Sequence, residues 1–157
     1  MKNEEITISD VTKTEEYVSL ENAQLLKKVG FDWLCLCRYI YGIFVPCDSQ
    51  MRMFYHKNSS TNENECTCPT IQKVRNWLRT EYNIDIVVMP SVADKNFEPD
   101  TTIYPVCDGE YEWMVIKGDG SATIYGYNVL KRYCSSFGEA CQEAIKYCIT
   151  NIIQKIV

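Results

Sequence analysis

Two cysteine pairs carry the sharpest chemistry in this sequence: Cys35-Leu36-Cys37 and Cys66-Thr67-Cys68, with the sole histidine, His56, between them. Four thiolates, or three and an imidazole, can hold zinc tetrahedrally at about 2.3 Å per sulfur. The spacing argues the other way, because structural zinc knuckles favour C-x2-C. On a strand, C-x-C sets both sulfurs on one face about 7 Å apart, too far to share an ion unless the strand bends. Cys66 and Cys68 fall in a stretch that reads as a loop, where that constraint is weaker. Cys35, Cys37, His56, Cys66 and Cys68 are therefore the candidate ligand set. The plainer reading is small apolar strand residues plus incidental loop thiols, so neither a metal nor a cofactor is expected.

A thiol nucleophile needs a base, and His56 would have to meet one of nine cysteines in space with a third group orienting it. Gly118-Asp119-Gly120 lacks the spacing and the following helix of a phosphate loop and reads as a hairpin turn. Aromatic residues are the remaining oddity. Ten of them fall on or near expected strands, and tyrosines on an uncovered sheet face make a flat, rigid recognition surface. The candidate contact residues are Tyr111, Trp113, Tyr125 and Tyr127.

The elements that must position these groups follow from capping and periodicity. Ser19 caps a helix over about 20–29, with Leu20, Ala23 and Leu26 on one stripe and Gly30-Phe31 as its stop. The aromatic and β-branched stretch Trp33–Val45 reads as a strand interrupted at Gly42, with a further strand over about Met51 to His56. Residues 57–68 are Asn-, Ser- and Thr-rich and read as the longest loop. Thr70 caps a second helix, whose stripe is Ile71, Val74, Trp77, Leu78 and Tyr82 and whose stop is Asn83. Ile84–Met89 reads as a buried strand stopped by Pro90. Thr102–Cys107, Asp108-Gly109 and Tyr111–Lys117 read as a hairpin, followed by a strand from Ala122 to Tyr127. Ser136 and Glu139 match a capping box, and Ala140, Cys141, Ala144, Ile145, Cys148, Ile152 and Ile153 share the face of a closing helix. The expected class is α+β: a mostly antiparallel sheet with about three helices on one face. Residues 1–16 form an arm or short edge strand, and residues 17–157 form one domain.

Length and composition agree. A chain of 157 residues, 46% apolar and 24% charged, suits one globular domain with a substantial core. No apolar run is long enough to span a membrane, and the start at Met1 leads into Glu4 and Glu5 without a secretory h-region. Six acidic residues against Lys2 and Lys13 give residues 1–21 a charge of −4, nearly all of the chain's −5. Nucleic-acid binding wants a dense basic footprint, and Lys73, Arg75 and Arg79 beside Glu81 read as a solvated helix face. Nine cysteines without a secretory signal, several on apolar faces, read as reduced core residues in a cytoplasm.

Three segments are distinctive: YVSLENAQLLKKVGFD (17–32), CTCPTIQKVRNWLRTEYNIDIVV (66–88) and SSFGEACQEAIKYCI (135–149). They resemble a family of small proteins encoded by Bacteroides-type bacteria and by phages and prophages of those hosts. The most specific piece is Pro69-Thr70 with Trp77-Leu78-Arg79. The resemblance runs from Tyr17 to the end and implies a shared fold and a mobile-element origin. It brings no activity, cofactor or catalytic residue. The polar arm and the large cysteine count depart from the family pattern.

With no catalytic constellation, cofactor loop or basic patch in the sequence, the expected function is a non-enzymatic module binding another protein through a sheet face or edge. The alternatives are a cysteine-dependent metal or redox protein, and a small enzyme of another type.

Overall fold

Among the described residues, three α-helices form where a side-chain cap stands at the head of an apolar stripe. The computed structural model describes residues 16–46, 55–90, 111–118, 123–127 (backbone only) and 134–156. The arm before Glu16, the start of the strand at Met51 and the strand and turn expected over 102–109 lie outside these residues. Helix α1, Leu20–Lys28, begins where the Ser19 hydroxyl accepts the Asn22 N–H. It ends in a Schellman motif: Phe31 N–H donates to the Leu26 carbonyl and Gly30 N–H to that of Lys27. Gly30 takes the left-handed φ of +84° this requires. Helix α2, Ile71–Tyr82, starts with Thr70 accepting the Lys73 N–H and stops at Asn83, also left-handed. Helix α3, Phe137–Tyr147, is capped by Ser136. The Glu139 carboxylate completes that turn on Ser135, taking its N–H and hydroxyl, not on the Ser136 amide the capping-box pattern implied. A π-helical turn over Cys148–Ile152 and a 3-10 turn over Ile153–Lys155 continue α3 and keep Cys148, Ile149 and Ile153 in the core.

The α+β class and the antiparallel pairing follow the expectation, but the strands divide into two sheets. In the first, β1 (Cys37–Ile40), β2 (Ile43–Val45) and β3 (Glu65–Cys68) lie in the order β2-β1-β3. In the second, β4 (Ile84–Pro90), β5 (Tyr111–Lys117) and β6 (Thr123–Tyr127) lie in sequence order. Tyr41 and Gly42 do not merely interrupt one strand. Both have positive φ, as a type I′ turn demands, and they fold β1 back onto β2 with Ile40 opposite Ile43.

Two expectations need correction. Residues 57–68 are not one loop: a 3-10 turn at Asn58–Ser60 leads into strand β3. Its sequence, Glu-Cys-Thr-Cys, has little β-propensity; partners decide it, because β1 supplies the ladder and α1 covers the cysteines. Strand β4 is not buried on both faces. Ile84 and Ile86 point into the core while Asp85 and Val87 alternate outward, as at a sheet edge.

Helix α3 is the hub. It covers β4 and β5 and meets both α1 and α2, and its small residues Ala140, Cys141 and Ala144 admit that close approach. Gln142 stitches α3 to the segment before α1. Its side-chain amide donates to the Tyr17 carbonyl, and its side-chain oxygen accepts from the Ser19 N–H and the buried Asn22 amide. On β4, the Asn83 carbonyl takes the Gly118 N–H, so odd-numbered residues bond to β5 and even-numbered ones face away. On that side, where no described strand pairs, the Arg75 guanidinium donates to the Ile86 carbonyl at 2.8 Å, and Pro90 brings no N–H.

Candidate functional site

The first sheet carries both features with chemical content. At its tip, Tyr41 sits at φ +48°. A bulky side chain rarely accepts that region, which Gly, Asn and Asp tolerate. Tyr41 is 77% exposed, and neighbouring Ile43 is 69% exposed. Two large apolar side chains thus stand in solvent on a turn whose backbone would suit a small polar residue. The turn is braced from beneath by Leu20, which lies in van der Waals range of the position a Cβ would take on Gly42.

Beside the tip runs an open groove of about 800 Å³, with Leu20, Gln24 and Lys28 of α1 on one side and Tyr39 and Tyr41 on the other. Its rim at residues 61–65 is fixed by Lys27, whose ammonium donates to the Thr61 hydroxyl and to the Asn62 and Glu65 carbonyls. Cys66 reaches the groove from β3.

Below the groove lie the thiols. Cys37 stands directly opposite Cys68 in the β1–β3 ladder, and Tyr39 opposite Cys66. Alternation therefore puts these four side chains on one face, where the three cysteines are buried. The chain bends at Leu36, and Cys35 leaves the ladder to pair with His56 through two backbone hydrogen bonds. Burial pushes the Cys68 thiol up to about 12, with the Tyr39 hydroxyl pulling the other way and Cys37, Cys35 and Cys66 adding to the rise. Burial likewise raises Cys35, offset in part by the Lys73 ammonium, and raises Cys66, offset by that of Lys27. Desolvation raises the Tyr39 hydroxyl, which donates to the Val18 carbonyl. His56 is shifted down, first by burial and then by Arg38, and so favours its neutral form.

The structure thus brings Cys35, Cys37, Cys66 and Cys68 into one neighbourhood, with Cys66 and Cys68 on a strand and not in a loop. Yet among the described residues no three His, Cys, Asp or Glu side chains converge to hold a metal ion. Cys66 and Cys68 share strand β3, whereas the bend at Leu36 takes Cys35 off the strand that holds Cys37. His56 meets Cys35 through the backbone.

The aromatic candidates on the second sheet lie elsewhere. Trp113 is 7% exposed, its ring against Tyr147 and its indole N–H donating to Glu143 at 3.3 Å. Tyr111 is half-buried with its ring edge-on to Phe137. Both therefore face α3 and not an open surface, because alternation along β5 puts them with Val115 on the helix-covered side. The β6 backbone places Tyr125 opposite Val115 and, past a bulge, Tyr127 opposite Met114. Sequence reasoning missed Tyr41. The available signal was an aromatic-glycine pair between two isoleucines, a two-residue hairpin turn with the wrong residue in its first position. Compared with known proteins, the chain matches no protein family, no curated protein and no solved structure.

Proposed function

We propose that the protein is a non-enzymatic interaction module that grips another protein with the β1–β2 hairpin tip. The observation that carries the reading is Tyr41: a large aromatic held in solvent at a left-handed turn position. Backbone outliers of this kind cost about 1–3 kcal/mol, persist where the surrounding structure holds them, and cluster at functional sites. Tyrosine gives large contact area at low entropic cost, and Ile43 extends the apolar contact. The groove beside the tip offers room for a partner's side chain. The resemblance to proteins of Bacteroides-type bacteria and their phages supports a mobile-element origin and a partner from the same host. The hairpin is favoured over Tyr111 and Trp113 of β5, which serve the core.

The test separates binding from folding. Tyr41→Asn removes the ring and suits the turn, so stability should rise by about 1 kcal/mol. Capture of a partner from host lysate by immobilised protein should fall at least tenfold for Tyr41→Asn and for Ile43→Thr. Sedimentation of the isolated protein distinguishes a second copy from a foreign partner. Capture that is unchanged by both substitutions would overturn the reading.

A further inference from the structure

We propose that Cys37 and Cys68 are a site of oxidative modification: thiol–disulfide exchange with a small disulfide of the glutathione class joins them across the β1–β3 ladder. The inference goes beyond the binding role above and does not depend on it. Directly opposed residues in an antiparallel pair have Cα atoms about 4.5–5.5 Å apart, inside the range a disulfide spans. Cys37 and Cys68 are such a pair, on the same face, with the register fixed by four consecutive residue pairs. No backbone shift is needed to bring the two Cα atoms into range.

Access is the second part. The Cys37, Cys68 and Cys66 thiols are all buried, but Cys66, two residues from Cys68 on the same face, is the one of them that also lines the groove. It is also the thiol beside the Lys27 ammonium, which offsets part of the rise that burial imposes on it. Cys66 therefore takes the first step. Its thiolate attacks one sulfur of the small disulfide, forming a mixed disulfide and releasing one thiolate, which is protonated. The Cys68 thiolate attacks the small-molecule sulfur of that mixed disulfide, taking over the small thiol and freeing Cys66, and the Cys37 thiolate directly opposite then displaces the second small thiol from Cys68. In net terms two S–H bonds of the protein are replaced by one S–S bond. Two electrons and two protons pass to the small disulfide, which leaves as two thiols.

The product closes the chain between residues 37 and 68 and pins the hairpin to β3. It should raise the melting temperature by about 10 °C. The intact protein is incubated with oxidised glutathione under denaturant-free conditions, then alkylated, digested and mapped. The expected result is a Cys37–Cys68 crosslinked peptide, loss of two alkylatable thiols, and reversal by dithiothreitol. Cys66→Ser should slow its formation at least tenfold without changing the pair, while Cys35→Ala should leave rate and pair unchanged. Because Cys37→Ser or Cys68→Ser can unfold the sheet, the mapping on the wild-type chain decides. All thiols remaining alkylatable, or a different dominant pair, would overturn the proposal. So would bound zinc in the native mass with the same four thiols protected.

Discussion

The two sheets are built on different physical terms. The second is long-stranded: seven consecutive residue pairs join β4 to β5, and Ile84, Ile86, Trp113 and Val115 sit under α3. The first has strands of three and four residues, its inward side chains are mostly cysteine and tyrosine, and its two most exposed large apolar groups project from its tip. Small thiols contribute less burial than branched aliphatics, so the first sheet is held by neighbours: α1 above it, the Lys27 clamp on its rim and the Gln142 stitch beside it. A region held this way can carry unfavourable features, such as the Tyr41 turn, that a sheet securing the core could not absorb without unfolding.

The largest test of that difference is truncation. Ile86→Ala in the second sheet should cost about 3 kcal/mol by denaturant titration, whereas Cys37→Ala in the first should cost about 1 kcal/mol. Equal costs would erase the distinction. Next comes the stitch. Gln142→Ala strips the Tyr17 carbonyl, the Ser19 N–H and the Asn22 amide of a partner and leaves Asn22 buried. Loss of about 2 kcal/mol is expected, with hydrogen exchange accelerating first around α1 and not in β4–β5.

The smallest effect is that of a single thiol's titration read between pH 8 and pH 10, about 1.4 kcal/mol. Burial pushes the thiols of Cys68 and Cys148 up to about 12, above the ordinary 9 they regain on unfolding. The folded state therefore holds protons that the unfolded chain releases above pH 9. Stability is full below 9 and falls between 9 and 12, by at most about 1.4 kcal/mol per pH unit for each thiol. Cys148→Ala should shallow that slope, as measured by urea titration at pH 8 and pH 10.

Helices were the legible part of the sequence, because caps and stops are local. Ser19, Thr70 and Ser136 each accept the N–H that their position implies, and Gly30 and Asn83 turn left-handed where the stripes end. The β5 bounds, Tyr111–Lys117, were also readable from alternation. What failed was non-local. Strand β3 exists because β1 lies beside it, and nothing in Glu-Cys-Thr-Cys announces a strand. The same gap hid the candidate thiol pair, since the register that sets Cys37 against Cys68 is a property of two segments. Tyr111 and Trp113 were placed on the wrong face for a related reason. Alternation tells which residues share a face, but not which face a helix covers, and α3 covers the one with Tyr111 and Trp113.

One small contact bears on how the protein behaves at high concentration. Strand β4 ends its sheet on the described side, and a bare strand edge is a template onto which another chain can add, copy after copy. The Arg75 guanidinium occupies the Ile86 carbonyl on that edge, and Pro90 offers no donor there. A charge and an imino acid thus cap the row against an incoming ladder. Among the described residues, the β4 edge of the second sheet thus resists strand addition while the first sheet displays an apolar hairpin.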